Sequence, residues 1–182
     1  MAFSPAGPVL AAHDTYGTEQ VVFLSTVTGQ RVPIVQPIEA YWLEEIAFSP
    51  NGELIATHEQ EPIFTDDESS QNNHTWVFRL LDATTGRPAA DDLRFTRNYQ
   101  FSLEPDEASM LFSPDSRHLA VRPRKLTPGD GVRGVYWWDL ADKGGSAPRQ
   151  LLTGQTSEMA FSPDSRLLAV ATDGEAQVWR LG

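Results

Sequence analysis

The string Phe-Ser-Pro occurs four times in this chain, at Phe3, Phe48, Phe112 and Phe161, and no other feature restricts the fold as much. Successive copies lie 45, 64 and 49 residues apart, and each continues in the same way: FSPAGPVLA, FSPNGELIA, FSPDSRHLA and FSPDSRLLA. A nine-residue pattern repeated at such intervals marks a repeat architecture, in which one supersecondary unit stacks on the next. Each copy reads as a hairpin. An apolar run ending in Phe, such as Ile46 to Phe48 or Met159 to Phe161, forms one strand. Ser-Pro and then Asn51-Gly52, Asp115-Ser116 or Asp164-Ser165 supply the turn, because Pro presets φ and Gly or Asn accepts positive φ. The runs Leu54 to Ala56, Leu119 to Val121 and Leu167 to Val170 form the returning strand.

A third apolar run follows each hairpin: VVFL from Val21, WVFRLLD from Trp76, GVYWWDL from Gly134 and QVWRL from Gln177. Three of these end in turn-rich stretches, TVTGQR, ATTGRP and ADKGGS. A weaker fourth strand is expected in the first three units, as RVPIV from Arg31, DLRFT from Asp92 and RQLLT from Arg149. Sheets of four short strands cannot bury both faces alone, so they must stack on neighbours. The chain therefore reads as all-β: one repeat region over 1–182, in about four four-stranded units at approximately 1–37, 38–97, 98–154 and 155–182.

The FSPDS-x-LLA hairpin, the third strand ending in Trp138-Asp139 and the turn Asp82 to Arg87 resemble the WD-repeat β-propeller family over nearly the whole chain. The repeats look divergent, because the Gly-His pair that often opens a family repeat is missing and Trp-Asp survives once. The FSPDS wording resembles bacterial members more than eukaryotic ones. The resemblance implies four-stranded blades and a protein-interaction role. It also raises a question of closure, since the first unit begins inside its first strand and the last stops after its third. The expectation is an open arc: part of a longer propeller, completed by a partner, or completed by a second copy of itself.

The formal net charge of −11 argues against nucleic acid or an anionic membrane surface as a partner, since phosphate binding needs clustered Lys and Arg. Cysteine is absent, which excludes disulfides, thiolate metal sites and Cys nucleophiles. No apolar run approaches the ~20 residues of a membrane-spanning helix, and the N-terminus does not read as a secretory signal, so a cytoplasmic protein is expected.

Irregular, chemically rich segments collect where second strands lead to third strands and where one unit leads to the next. HEQEPIFTDDESSQNNH (His58 to His74) reads as a long acidic loop, and RPRKLTPGDG (Arg122 to Gly131) as a basic one. PIEAYWLEE and RNYQFSLEPDE place aromatics beside carboxylates. The expected partner-binding rim has Tyr41, Trp42, Tyr99 and Phe101 as anchors, flanked by Glu44, Glu45, Asp66, Asp67 and Glu68, with Arg122, Arg124 and Lys125 in the basic loop. For Trp42 and Phe101 the competing expectation is core packing between blades, and for the basic loop it is salt bridging to the acidic one.

No catalytic set emerges. His58 and His74 flank Asp66, Asp67 and Glu68 without the spacing of a zinc or calcium loop. There is no Gly-x-Ser-x-Gly elbow or phosphate-binding loop, and His13 and His118 read as structural. The expectation is a non-catalytic scaffold, regulatory or sensor subunit without metal or cofactor. The alternatives are the propeller portion of a larger enzyme or signalling ATPase, and a self-assembling half-propeller.

Overall fold

A computed structural model describes residues 1–14, 20–33, 38–39, 42–62, 74–97, 109–123, 134–140, 147–154, 156–172 and 174–181. All regular structure among them is antiparallel β, in two compact units, Met1–Tyr99 and Gln100–Gly182.

The first unit holds two four-stranded meanders. One is β1 (Ala2–Phe3), β2 (Val9–His13), β3 (Gln20–Ser25) and β4 (Ile38–Glu39); the other is β5 (Leu43–Phe48), β6 (Leu54–Pro62), β7 (His74–Asp82) and β8 (Leu93–Arg97). Ala11, Val21, Phe23 and Ile38 of one sheet pack on Ile46, Ile55 and Leu81 of the other. The second unit repeats the plan with β9 (Ser109–Phe112), β10 (His118–Arg122), β11 (Val135–Asp139) and β12 (Arg149–Leu152), followed by a three-stranded sheet of β13 (Thr156–Phe161), β14 (Leu167–Thr172) and β15 (Ala176–Arg180). Ala120 and Val135 pack there with Leu168, Val170 and Leu181.

Each Phe-Ser-Pro lies at the turn between a sheet's first two strands, and three of the four turns share one clasp. Ser49 Oγ donates to Asn51 Oδ1 (2.7 Å) and accepts from Leu54 N–H (3.0 Å), while Glu53 N–H donates to Asn51 Oδ1 (3.1 Å). Ser113 with Asp115 and Ser162 with Asp164 repeat these bonds, the hydroxyl–carboxylate contact shortening to 2.6 Å in both. The next residue is left-handed, with φ 72° at Gly52 and 61° at Ser116 and Ser165, so serine fills a place that ordinarily favours glycine. The first turn lacks the clasp. Ala6 replaces the Asx acceptor, Gly7 is outside the left-handed region, and Val9 N–H bonds back to Gly7 C=O (2.8 Å).

Two strands differ from the sequence reading. Among the described residues of the run from Arg31, one bridge forms, Arg31 to Leu24, and the strand that pairs with β3 is β4, with Ile38 opposite Val21 and Glu39 opposite Gln20. Pro33 interrupts that run, because proline brings no N–H to a ladder. The segment expected to be loop from His58 onward continues as strand to Pro62, and β7 begins at His74. The reason is the side-chain pairing described next.

Candidate protein-binding rim

Along β6, Ile55, Thr57, Glu59 and Glu61 alternate onto one face of the sheet, and Ala56, His58 and Gln60 onto the other. The first face starts apolar at the hairpin, with Ile55 beside Leu81, and becomes charged toward the far end. Glu59 is 0% exposed and accepts from Thr57 Oγ1 (2.8 Å) and Arg79 Nη1 (2.5 Å). Arg79 also pairs with Glu61 and, through Nε, with Asp92 (3.4 Å). Arg94 closes the set on Glu61 (2.7 Å) and Asp92 (3.0 Å). Three carboxylates and two guanidiniums thus join β6, β7 and the approach to β8. An acidic run that reads as loop forms strand because its carboxylates meet arginines in register.

Burial is the largest influence on Glu59 and raises its carboxyl above the ordinary value, with Arg79 and Thr57 pulling the other way. Burial opposes the Glu61 charge as well, but the hydrogen bond from Arg94 and the charges of Arg94 and Arg79 outweigh it and hold that carboxyl low.

On the opposite face His58 stacks on Phe78, with centroids 4.4 Å apart and planes 5° apart, and meets Trp76 edge-on at 5.6 Å. Phe95 meets Phe78 edge-on at 6.3 Å. β5 reaches this end through a bulge, where Leu43 and Glu45 pair with consecutive residues Glu59 and His58, leaving Glu44 as the extra residue. The bulge directs the Glu44 carboxylate to Gln60 Nε2, within 3.9 Å of His58 Nδ1. Just before it, Trp42 C=O accepts from Gln60 N–H (3.1 Å) while the residue remains 55% exposed.

The structure therefore brings Trp42, Glu44 and Glu45 together at the end of the sheet away from the hairpin turn. Trp42 is exposed and is not a core residue within its unit. Arg122 belongs to the second unit, at the end of β10, 7% exposed, with Nη1 3.4 Å from Thr156 C=O. Tyr41, Asp66, Asp67, Glu68, Tyr99, Phe101, Arg124 and Lys125 lie outside the described residues. The sequence reading did not pick out Gln60, Glu61, Arg79 and Arg94 as supports of the rim. The available signal was acid at the alternate positions 59 and 61, with arginines on the two later strands.

Residues 148–180 match the family model described as WD domain, G-beta repeat. No curated protein matches the chain. Among solved structures, the chain is similar to one titled as a crystal structure of the eukaryotic initiation factor, with 20% identity and a TM-score of 0.56, over 98% of this chain and 40% of that one. At that identity the likeness shows fold alone. With 555 solved chains matching, the fold by itself selects no single function.

Proposed function

From the premise that this chain is built of WD-type β-propeller repeats, we propose that it is a non-catalytic protein-interaction module that engages a partner through the rim around Trp42, Glu44 and Glu45. WD repeats generally mediate protein–protein interaction and are typically non-catalytic. The observation that carries the reading is Trp42, a large aromatic 55% exposed beside two carboxylates on a sheet end locked by buried charge. Aromatic anchors on rigid supports supply most of the binding energy at interfaces, and the carboxylates favour a partner segment carrying Lys or Arg. The chain spans 40% of the length of the solved structure it resembles, so the partner of a whole protein stays within this proposal.

The test is capture from the protein's own cells, with three immobilised versions compared. The parent and Val27→Lys, a change at an exposed turn beside the hairpin end, should retain the same partners. The triple variant Trp42→Ala, Glu44→Lys, Glu45→Lys should lose them. Equal retention by the triple variant removes the rim from the function.

A further inference from the structure

The second unit carries a cleft of about 510 Å3 at its hairpin end, between the turns of its two sheets. Arg117, Arg166 and Arg180 line it together with His118, Asp115 and Asp164. The two hairpins are tied there by Asp115 N–H donating to Ser165 Oγ (2.9 Å).

Comparison with the other repeats shows how far this place departs from the common plan. Arg117 and Arg166 occupy the position held by Pro8 and Glu53 in the first two copies. Arg180 pairs with Leu167 where Ser25, Asp82 and Asp139 pair with Val9, Leu54 and His118. Ser25 and Asp82 accept N–H groups of the following turn, at 3.2 Å from Thr28 and 2.7 Å from Thr85. An acceptor position has thus become a cation. His118 stands where Val9, Leu54 and Leu167 stand, so a polar ring replaces an aliphatic side chain.

The charges of the cleft are unevenly used. Both aspartates already accept a serine hydroxyl at 2.6 Å and a backbone N–H within their own clasps. The three arginines are exposed, and none lies within ion-pair distance of a carboxylate among the described residues. His118 is 5% exposed, lines the cleft, rests against Trp137 at 5.2 Å, and its Nδ1 has no hydrogen-bond partner among the described residues. A buried polar atom without a partner is costly, and a ligand that bonds to it recovers that cost. The chain's net charge of −11 does not prevent an anion from binding here. Charges beyond about 8 Å are largely screened at physiological salt, and at contact distance the arginines dominate.

We propose that this cleft is an oxyanion subsite that takes a carboxylate or phosphoryl group presented by a partner peptide. The guanidiniums of Arg117, Arg166 and Arg180 hold the oxygens, and His118 Nδ1–H supplies a further bond. Guanidinium forks match both groups in geometry. The cleft belongs to the second unit, whereas Trp42 belongs to the first.

The experiment is fluorescence anisotropy on the full chain with three labelled peptides: pentaglutamate, a phosphoserine peptide of otherwise neutral sequence, and the same peptide unphosphorylated. Saturable binding of either anionic peptide, weakened at least tenfold by Arg166→Ala and by Arg180→Ala and partly restored by the Lys replacements, supports the subsite. The tighter of the two identifies the source of the oxyanion. His118→Gln should weaken binding further, while Val27→Ser, at an exposed turn of the first unit, leaves it unchanged. The arginines are exposed, so their variants keep the fold, as circular dichroism will show. Absence of saturation up to millimolar peptide, equal binding of the neutral control, or affinity unmoved by the arginine variants overturns the proposal.

Discussion

The two units solve the same packing problem with opposite uses of arginine. In the first, Arg79 and Arg94 bind Glu59, Glu61 and Asp92 across one sheet, and Arg31 reaches Asp14 at 3.0 Å. In the second, Arg117, Arg166 and Arg180 stand in a cleft with Asp115 and Asp164 and form no ion pair among the described residues. The hairpin junctions differ in the same sense. Gly52 backs directly onto Ala6, so closely that a Cβ at Gly52 would collide with the Ala6 methyl. The matching pair in the second unit is Ser165 and Asp115, joined by a hydrogen bond beside the cleft. The same two positions of the nine-residue repeat make an apolar contact in the first unit and a hydrogen bond beside a cleft in the second. A repeat conserves its backbone clasp more strictly than it conserves what the clasp displays.

The strongest way to break the comparison is to remove the cation that balances the first unit. Arg79→Met leaves buried Glu59 with its charge uncompensated and should cost about 3–5 kcal/mol, read as a lowered urea midpoint. An effect below about 1 kcal/mol would mean that the network is ornamental. Next comes the seam. Gly52→Ala forces a Cβ onto a left-handed residue and into Ala6, and should cost about 1–3 kcal/mol. Adding Ala6→Gly should recover the collision but not the backbone strain, which separates the two causes.

The smallest effect concerns pH, and its sign distinguishes the network from the clasps. Because burial raises the Glu59 carboxyl, the folded chain holds a proton there that the unfolded chain has released, over the window from the ordinary glutamate value up to the raised one. Stability from this group therefore falls as pH rises through that window, and Glu59→Gln should remove that part of the slope. The clasp aspartates act in reverse. Burial works against the Asp115 charge, but the Ser113 hydroxyl and Arg117 N–H hold its carboxyl low. Its contribution is present above the ordinary aspartate value and lost as pH falls below it. Denaturation midpoints at successive pH values, for the parent and Glu59→Gln, check both signs.

The hairpins were legible because their information is local: Phe-Ser-Pro, an Asx and an aliphatic run within nine residues specify two strands and the turn between them. The third strands were legible for the same reason, as apolar runs that follow each hairpin. β4 was not, because its two residues carry no pattern and the more apolar run before it contains Pro33. The far half of β6 was missed because Glu59 and Glu61 look like loop residues until Arg79 and Arg94, on strands distant in sequence, are placed opposite them. At the rim, Trp42, Glu44 and Glu45 were legible as an aromatic beside acids, while the bulge that aims Glu44 is a matter of register. The cleft arginines were in plain view within the repeat, but one copy's turn does not reveal which residues of another copy it will face.

The serine clasp also bears on how the chain reaches its fold. Each clasp joins residues no more than five apart, so it closes with little loss of chain entropy, on the scale of tens of nanoseconds for a loop of about ten residues. Three such hairpins are competent to form without waiting for any distant strand, which gives the chain three starting points. The first hairpin, with Ala6 and Gly7 in place of the clasp, has no comparable head start and relies on β5 and β6 beside it. Assembly of the first unit is therefore expected to run backwards along the sequence, from its second sheet to its first.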